Sequence, residues 1–356
     1  MSWQKWILNI ALSIVDILTF WIKPQKKRIT FVSMTMDHYT EDFLLLKNEL
    51  EKEYDVHSNL IVFQKNIWGK LGYFFNCLKQ EIDFKRSSLV ILNDNNYVLS
   101  RKKPKGCHVL QVWHACGAIK KFGNEIDRSY TIENYDSVLC NAPAWQPIYA
   151  RSFGVNQDQV KVTGMPRCDR LLKGMDTQSF YEKYPQCKGK KLCLYAPTFR
   201  GNILQGLEHH SFDIKKVQDQ LEDWIVLVKF HPLLKEVQLP DCHAINVSQE
   251  DLYELMQVSD CLISDYSSVI LDYSLLDKPI IGYMNDVDQY QETIGLNIEP
   301  EEYPGPVCIN EDQLIQTIQN LDVSDLKKVR DFKEKYMVFT DGNNTKRVVE
   351  WIHTIL

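Results

Sequence analysis

Short apolar runs recur along the chain with longer amphipathic stretches between them. ITFVSM, SLVILN, HVLQVW and DSVLCN occupy the first half, and KLCLYA, WIVLVKF, CLIS and PIIGY the second. Buried-strand patterns alternating with helical ones predict βα units and parallel sheets, one sheet per half. Apolar periodicity fades across LLKGMDTQSFYEKYPQCKGKK, where Gly, Pro and Lys gather, which sets a boundary there. The pattern therefore predicts an α/β protein of two doubly wound domains facing a cleft, residues 29–175 and 176–356, the second closing in a helical tail. In such sheets ligands are expected at the carboxyl ends of the strands.

The first 28 residues, MSWQKWILNIALSIVDILTFWIKPQKKR, stand apart. On a helical wheel Lys5, Asn9, Ser13, Asp16 and Lys23 fall near one stripe, while tryptophans and isoleucines cover the remainder. A span needs about 20 apolar residues, and Asn9 and Asp16 would each be costly at mid-bilayer. No small-residue cleavage site follows the apolar run, which argues against a secretory signal. The expectation is an amphipathic helix lying on an anionic membrane surface, followed at once by basic residues. The ordinary alternative is a helix that packs its apolar stripe on its own domain.

Composition narrows the function. The formal net charge of -6 gives no basic field of the kind that drives nonspecific nucleic-acid binding, so no nucleic-acid partner is expected. Ten cysteines are scattered without a CxxC pair, which reads as core thiols in a reducing compartment. No acidic cluster suited to a metal stands out, and neither metal nor cofactor is expected.

Four polar clusters follow strand patterns. SDYSS supplies Ser264, Asp265, Ser267 and Ser268, the two later serines at the first turn of a helix where N–H groups and hydroxyls can hold a phosphate. A plain N-cap is the competing role. Asp272 sits seven residues before Pro279. QVWHACGAIKKFG places His114 after a strand, with Gly117, Gly123 and Lys120 behind it. YAPTFRG and VLVKFHP place Thr198 and Arg200, then Lys229 and His231, at two further strand ends. Arg and Lys there can neutralise a diphosphate, and a histidine can take or donate a proton near neutral pH. Any one cluster could be a solvated strand end; four on one predicted edge make a site.

The Asp272–Pro279 spacing resembles that of GT-B glycosyltransferases, where an acidic residue seven positions before a proline holds the ribose. From about His108 onward, QVWHACGAIKKFG, VTGMPRCDRLL, YAPTFR, KFHP, SDYSSVILDYSLLDKPIIGY and FTDGNNTKRVVEWI together resemble the CDP-glycerol glycerophosphotransferase family of teichoic-acid enzymes. The resemblance implies a GT-B-like fold of two Rossmann-like domains and a peripheral location on the cytoplasmic face of the membrane. It also implies a CDP-glycerol or CDP-ribitol donor and a lipid-linked glycan acceptor. It makes His114 and His231 catalytic and gives donor binding to Thr198, Arg200, Lys229, Ser264, Asp265, Ser267, Ser268 and Asp272. Gly117 and Lys120 become acceptor residues. Many members carry WHGTPLK where this chain has WHACGAIK, which bears on the acceptor rather than on the reaction class. Without a long extra N-terminal domain, single addition is expected over polymerisation. The rival readings are a GT-B glycosyltransferase using a nucleotide sugar and a noncatalytic membrane-bound assembly protein.

Overall fold

The computed structural model describes residues 3–64, 66–198, 200–202, 206–208, 211–230, 238–322 and 326–356. His231 lies outside the described residues. The chain folds as two compact units: residues 1–114, 122–167 and 343–356 form the first, residues 115–121 and 168–342 the second.

The first unit holds β1 (Gln25–Ser33), β2 (Thr35–Met36), β3 (Asp55–Val62), β4 (Ser87–Leu92), β5 (His108–Gln111), β6 (Ser137–Cys140) and β7 (Val160–Val162). Their order in the sheet is β2-β3-β1-β4-β5-β6-β7. Every pairing is parallel except that of β2 with β3. The chain steps outward from β1 to β3 and then crosses to β4, so the strand order reverses between β1 and β4. β4 and the second half of β1 read as continuous apolar runs because helices cover both faces of such a sheet.

The second unit holds β8 (Lys191–Tyr195), β9 (Arg200–Asn202), β10 (Gly206–Glu208), β11 (Trp224–Val228), β12 (Ile245–Asn246), β13 (Cys261–Ser264), β14 (Ile280–Tyr283) and β15 (Val307–Cys308). β9 and β10 form a hairpin. The others make a parallel sheet in the order β12-β11-β8-β13-β14-β15, which reverses between β8 and β13. All eight apolar runs of the sequence are strands.

The boundaries differ from those read in the sequence. Residues 115–121 join the second unit, the crossing falls at 167/168 rather than at 175/176, and the helix Asn344–Ile355 returns to the first unit. Main-chain pairing is the cause for 115–121. Lys120 bridges Leu296, the Lys121 N–H donates to the Gly295 carbonyl at 3.0 Å, and the Asn297 N–H donates to the Ile119 carbonyl at 2.8 Å. Gly123, with φ +62, takes the close backbone approach expected of it. A Cβ there would lie 2.1 Å from the Ser152 carbonyl oxygen.

Helix α1 (Trp3–Leu18) docks by its polar stripe. Lys5 donates to the Ser129 carbonyl, Asn9 accepts from Tyr97, Ser13 accepts from Arg101, and Asp16 binds both Lys85 and Lys102. Of its apolar residues only Leu8 and Leu12 are buried. Trp3 (70% exposed), Trp6 and Ile14 face outward on α1, and Ile17 and Trp21 lie exposed at and beyond its end. After α2 (Glu41–Leu50), helix α3 (Ile67–Arg86), against which α1 packs, likewise leaves Ile67, Trp68 (81%), Leu71 and Phe75 exposed. This arrangement is the reverse of an ordinary surface helix, whose apolar stripe faces the core. Among the described residues no helix is long and apolar enough to cross a membrane.

Candidate active site

In the first unit the candidate chemistry gathers behind the carboxyl ends of β4 and β5. Trp113 takes a left-handed conformation (φ +66), which costs a non-glycine residue about 1–3 kcal/mol. Its N–H donates to Gln111 Oε1 at 2.8 Å and its ring stacks on Phe122 with centroids 4.8 Å apart, which offsets that cost. The next residue is His114, whose ring lies 3.9 Å from that of Trp113. Its Nδ1 is 2.9 Å from the Asn93 carbonyl oxygen. A carbonyl can only accept, so Nδ1 carries the proton and Nε2 is the basic nitrogen of the neutral ring. Arg167 fixes the main chain here. It donates from Nη1 to the His114 carbonyl at 2.8 Å, and it is held by the fully buried Asp42 through its own N–H at 2.8 Å and its guanidinium.

Asp94 sits where the strand order reverses between β1 and β4. Its carboxylate accepts from the Met34 N–H at 2.6 Å and the Thr35 hydroxyl at 3.1 Å, ordering the turn after β1. Burial nevertheless pushes its pKa up to about 6, outweighing those donors. The folded pKa lies above the ordinary value of 3.8, so the folded protein holds the proton more tightly than the unfolded chain. This contribution to stability is full below about pH 3.8 and is lost as pH rises through about 6, up to about 3 kcal/mol in all. Urea titrations between pH 4 and 7 check this. Asp94→Asn removes this descending component from the profile, and an unchanged difference between wild type and variant across that range contradicts it.

The second unit builds its cluster at its own reversal point, between the ends of β8 and β13. Asp265 accepts from the Thr198 N–H at 2.9 Å and hydroxyl at 2.8 Å, and from Arg200 Nη1 at 2.9 Å. Asp286 binds the same guanidinium through Nε at 2.8 Å and Nη2 at 3.1 Å. Tyr266 and Tyr290 stack at 3.9 Å, with the Arg200 guanidinium carbon 5.2 and 4.9 Å from the two ring centroids. Burial opposes the Arg200 charge, but its hydrogen bonds to Asp286 and the charge of Asp265 raise its pKa above the ordinary value. Lys120 lies close enough to feel both Asp265 and Arg200, and burial lowers its pKa. Two cations and two carboxylates thus meet at a strand-order reversal, where open α/β sheets take their ligands.

The family model for CDP-glycerol:poly(glycerophosphate) glycerophosphotransferase matches residues 16–354. The chain belongs to that family. It is a transferase of teichoic acid synthesis, and the match begins well before the His108 start of the motif resemblance. The teichoic acid ribitol-phosphate primase of Bacillus spizizenii is 28% identical, over 93% of this chain and 92% of its own. The glycerol-phosphate primase of Bacillus subtilis is 26% identical, over 97% and 96%. The solved wall teichoic acid polymerase TagF shares the fold, with a TM-score of 0.76 at 21% identity over 98% of this chain and 93% of that one.

For this glycerophosphotransferase-family chain the structure distributes the expected residues unevenly. Thr198, Arg200 and Asp265 are brought together, with Lys120 beside them. Gly117 and Lys120, read as first-domain residues, travel with the second unit for the pairing reason given above. The Ser264 hydroxyl donates to the Ala196 carbonyl at 2.7 Å and ties β13 to the end of β8. Lys229 donates to the carbonyls of Ser248 and Glu250 at 3.2 and 2.7 Å, and burial lowers its pKa. The Val269 N–H donates to Ser267 at 3.4 Å, whereas Ser268 makes no side-chain cap to the six-residue helix that follows. Asp272 is buried and accepts from the Cys116 thiol at 3.1 Å and from Tyr253 at 3.4 Å.

Cys168 approaches Cys116 to 3.5 Å. Among the described residues these two cysteines and Asp272 form a group with metal-ligand donors within 4.8 Å of one another. None of the ten cysteines forms a disulfide. Sequence reasoning missed Asp286, Tyr290, Asp42 and Asn93. Tyr266 and Arg167 stood inside quoted motifs, SDYSS and VTGMPRCDRLL, but carried no assigned role.

Proposed function

We propose that the chain moves glycerol phosphate or ribitol phosphate from its CDP ester to a hydroxyl of a lipid-linked glycan, with His114 as general base. The observation that carries this reading is the hydrogen bond from His114 Nδ1 to the Asn93 carbonyl, which leaves the basic lone pair on Nε2. That nitrogen takes the acceptor's hydroxyl proton as the oxygen bonds to the polyol-bearing phosphorus. The bond from this phosphorus to the bridging oxygen breaks, and CMP leaves with the electron pair. Arg200 and Lys120 compensate the diphosphate charge, held in place by Asp265 and Asp286. Lys120 is thus assigned to the donor rather than the acceptor. Asp272, Ser267 and Ser268 are assigned to the nucleotide, and His231 keeps its role on the donor phosphates from the KFHP motif alone.

The purified protein, given CDP-glycerol or CDP-ribitol with a lipid-linked acceptor, should release CMP. Release of CDP would instead mark a sugar transferase, and no turnover with any donor a scaffold.

We assign the chain to the cytoplasmic membrane face, bound by the outward apolar rows of α1 and α3. Removing residues 1–28 would cut four residues from β1, so point changes are the sound test. Trp3→Ser, Trp6→Ser and Ile14→Ser together should lower co-sedimentation with phospholipid vesicles at least tenfold while leaving thermal stability unchanged. Retained sedimentation would move the membrane contact elsewhere.

A further inference from the structure

At the carboxyl end of α1 a pocket of about 340 Å³ opens between that helix, the end of α3 and the segment before β5. Ile17, Phe20 and Phe84 line one part of it, and Lys85, Lys102, Lys103 and Lys105 another. Asp16 and Glu81 are its acidic lining residues. Asp16 is shared by Lys85 and Lys102, Glu81 lies 3.9 Å from Lys85, and Lys103 reaches out to Asp136. Even counting Asp136, four ammonium groups face three carboxylates, and the basic run of Lys23, Lys26 and Lys27 follows α1 directly. The apolar lining continues into exposed surface: Phe20 is 82% exposed and Ile17 68%. A pocket that sets apolar side chains beside lysine ammonium groups matches a phosphodiester headgroup whose acyl chains lie beside the helix.

We propose that this pocket binds the headgroup phosphate of an anionic bilayer phospholipid. The inference rests on the membrane reading above and adds a specific ligand to it. Position in the sheet decides between a bulk lipid and the reacting end of the acceptor. Phe84 and Lys85 precede β4, Lys102 to Lys105 precede β5, and Ile22 precedes β1, so the pocket lies at the amino edge of the strands. His114 follows the opposite, carboxyl edge. Strands of four to six residues, rising ~3.3 Å per residue, separate the two, farther than one phosphate extends. With α1 lying in the interface, Trp21 and these lysines sit at the depth where tryptophan and lysine meet headgroups.

The test uses the full chain and the double variant Lys103→Glu/Lys105→Glu, which changes two exposed side chains outside the catalytic machinery. Four probes are titrated: vesicles of phosphatidylcholine alone, vesicles with one-third phosphatidylglycerol, soluble short-chain phosphatidylglycerol below its micelle concentration, and inorganic phosphate. Wild type should saturate with the short-chain lipid and bind the anionic vesicles at least about tenfold tighter than the neutral ones. The double variant should lose both preferences yet bind neutral vesicles and release CMP in detergent as wild type does. Three outcomes overturn the pocket: no saturation by the short-chain lipid, an anionic preference unchanged in the double variant, or saturation by inorganic phosphate at equal concentration. If wild type binds no vesicle of either kind, the membrane reading itself fails, a distinguishable result.

Discussion

His114→Ala should transfer polyol phosphate about 10²–10⁴ more slowly than wild type, the usual worth of a positioned general base. The wild-type rate should fall on the acid side, where an imidazole takes up a proton and cannot accept another from the acceptor hydroxyl. The variant should lose that limb. Donor affinity should change little, because Asn93, Trp113 and Arg167, which His114 touches, lie with it in the first unit. Stopped assays of CMP release across pH 5–9, with calorimetry of the CDP ester, separate these effects. Near-normal release, or an acid limb that survives in the variant, would remove His114 from the role of base. Arg167→Ala provides a companion measurement. It leaves the imidazole in place but frees the main chain behind it, so it should lower the rate while preserving the acid limb.

Arg200→Leu should show the second large effect, on stability as well as on binding. Asp265 and Asp286 share this guanidinium, and Asp265 is almost fully buried. Removing the cation leaves two carboxylates side by side in a low-dielectric setting, a loss of about 3–5 kcal/mol for a broken buried pair. Arg200→Lys should recover part of the stability, since one ammonium can meet one carboxylate but cannot bridge two in the planar fork that Arg200 uses. Urea denaturation gives the stability difference, and CDP-glycerol titration of the lysine variant gives the binding loss in a folded protein. If Arg200→Leu is as stable as wild type, the network does not hold this edge of the sheet together. If Arg200→Lys binds donor unchanged, the guanidinium is structural only.

The strand-forming runs could be read directly because buried parallel strands are apolar on both faces. Their composition alone marks them, as in β4, β8, β11 and β13. The strands that escaped notice are β2, β3, β7, β9, β10, β12 and β15. All but β3 are only two or three residues long, and β3 keeps polar Asp55, His57, Ser58 and Asn59 in a half-buried pattern that dilutes the signal. The candidate site was legible to a similar depth. Residues after strand ends could be named because chain direction in a parallel sheet sends every carboxyl end to one edge. Which of them meet could not be named.

Asp286 lies 86 residues from Arg200 in the chain, and Asp42 lies 125 from Arg167. Local periodicity holds no information on such pairs, which arise only when packing brings separate loops together. The segment 115–121 illustrates the same limit, since its allegiance is decided by main-chain hydrogen bonds with residues 295–297 that any sequence could make. For α1 the sequence determined that one stripe is polar and the other apolar. Only the tertiary structure decided which stripe faces the protein, because Tyr97, Arg101, Lys85 and Lys102 stand where the polar stripe can satisfy its groups and leave the tryptophans outside.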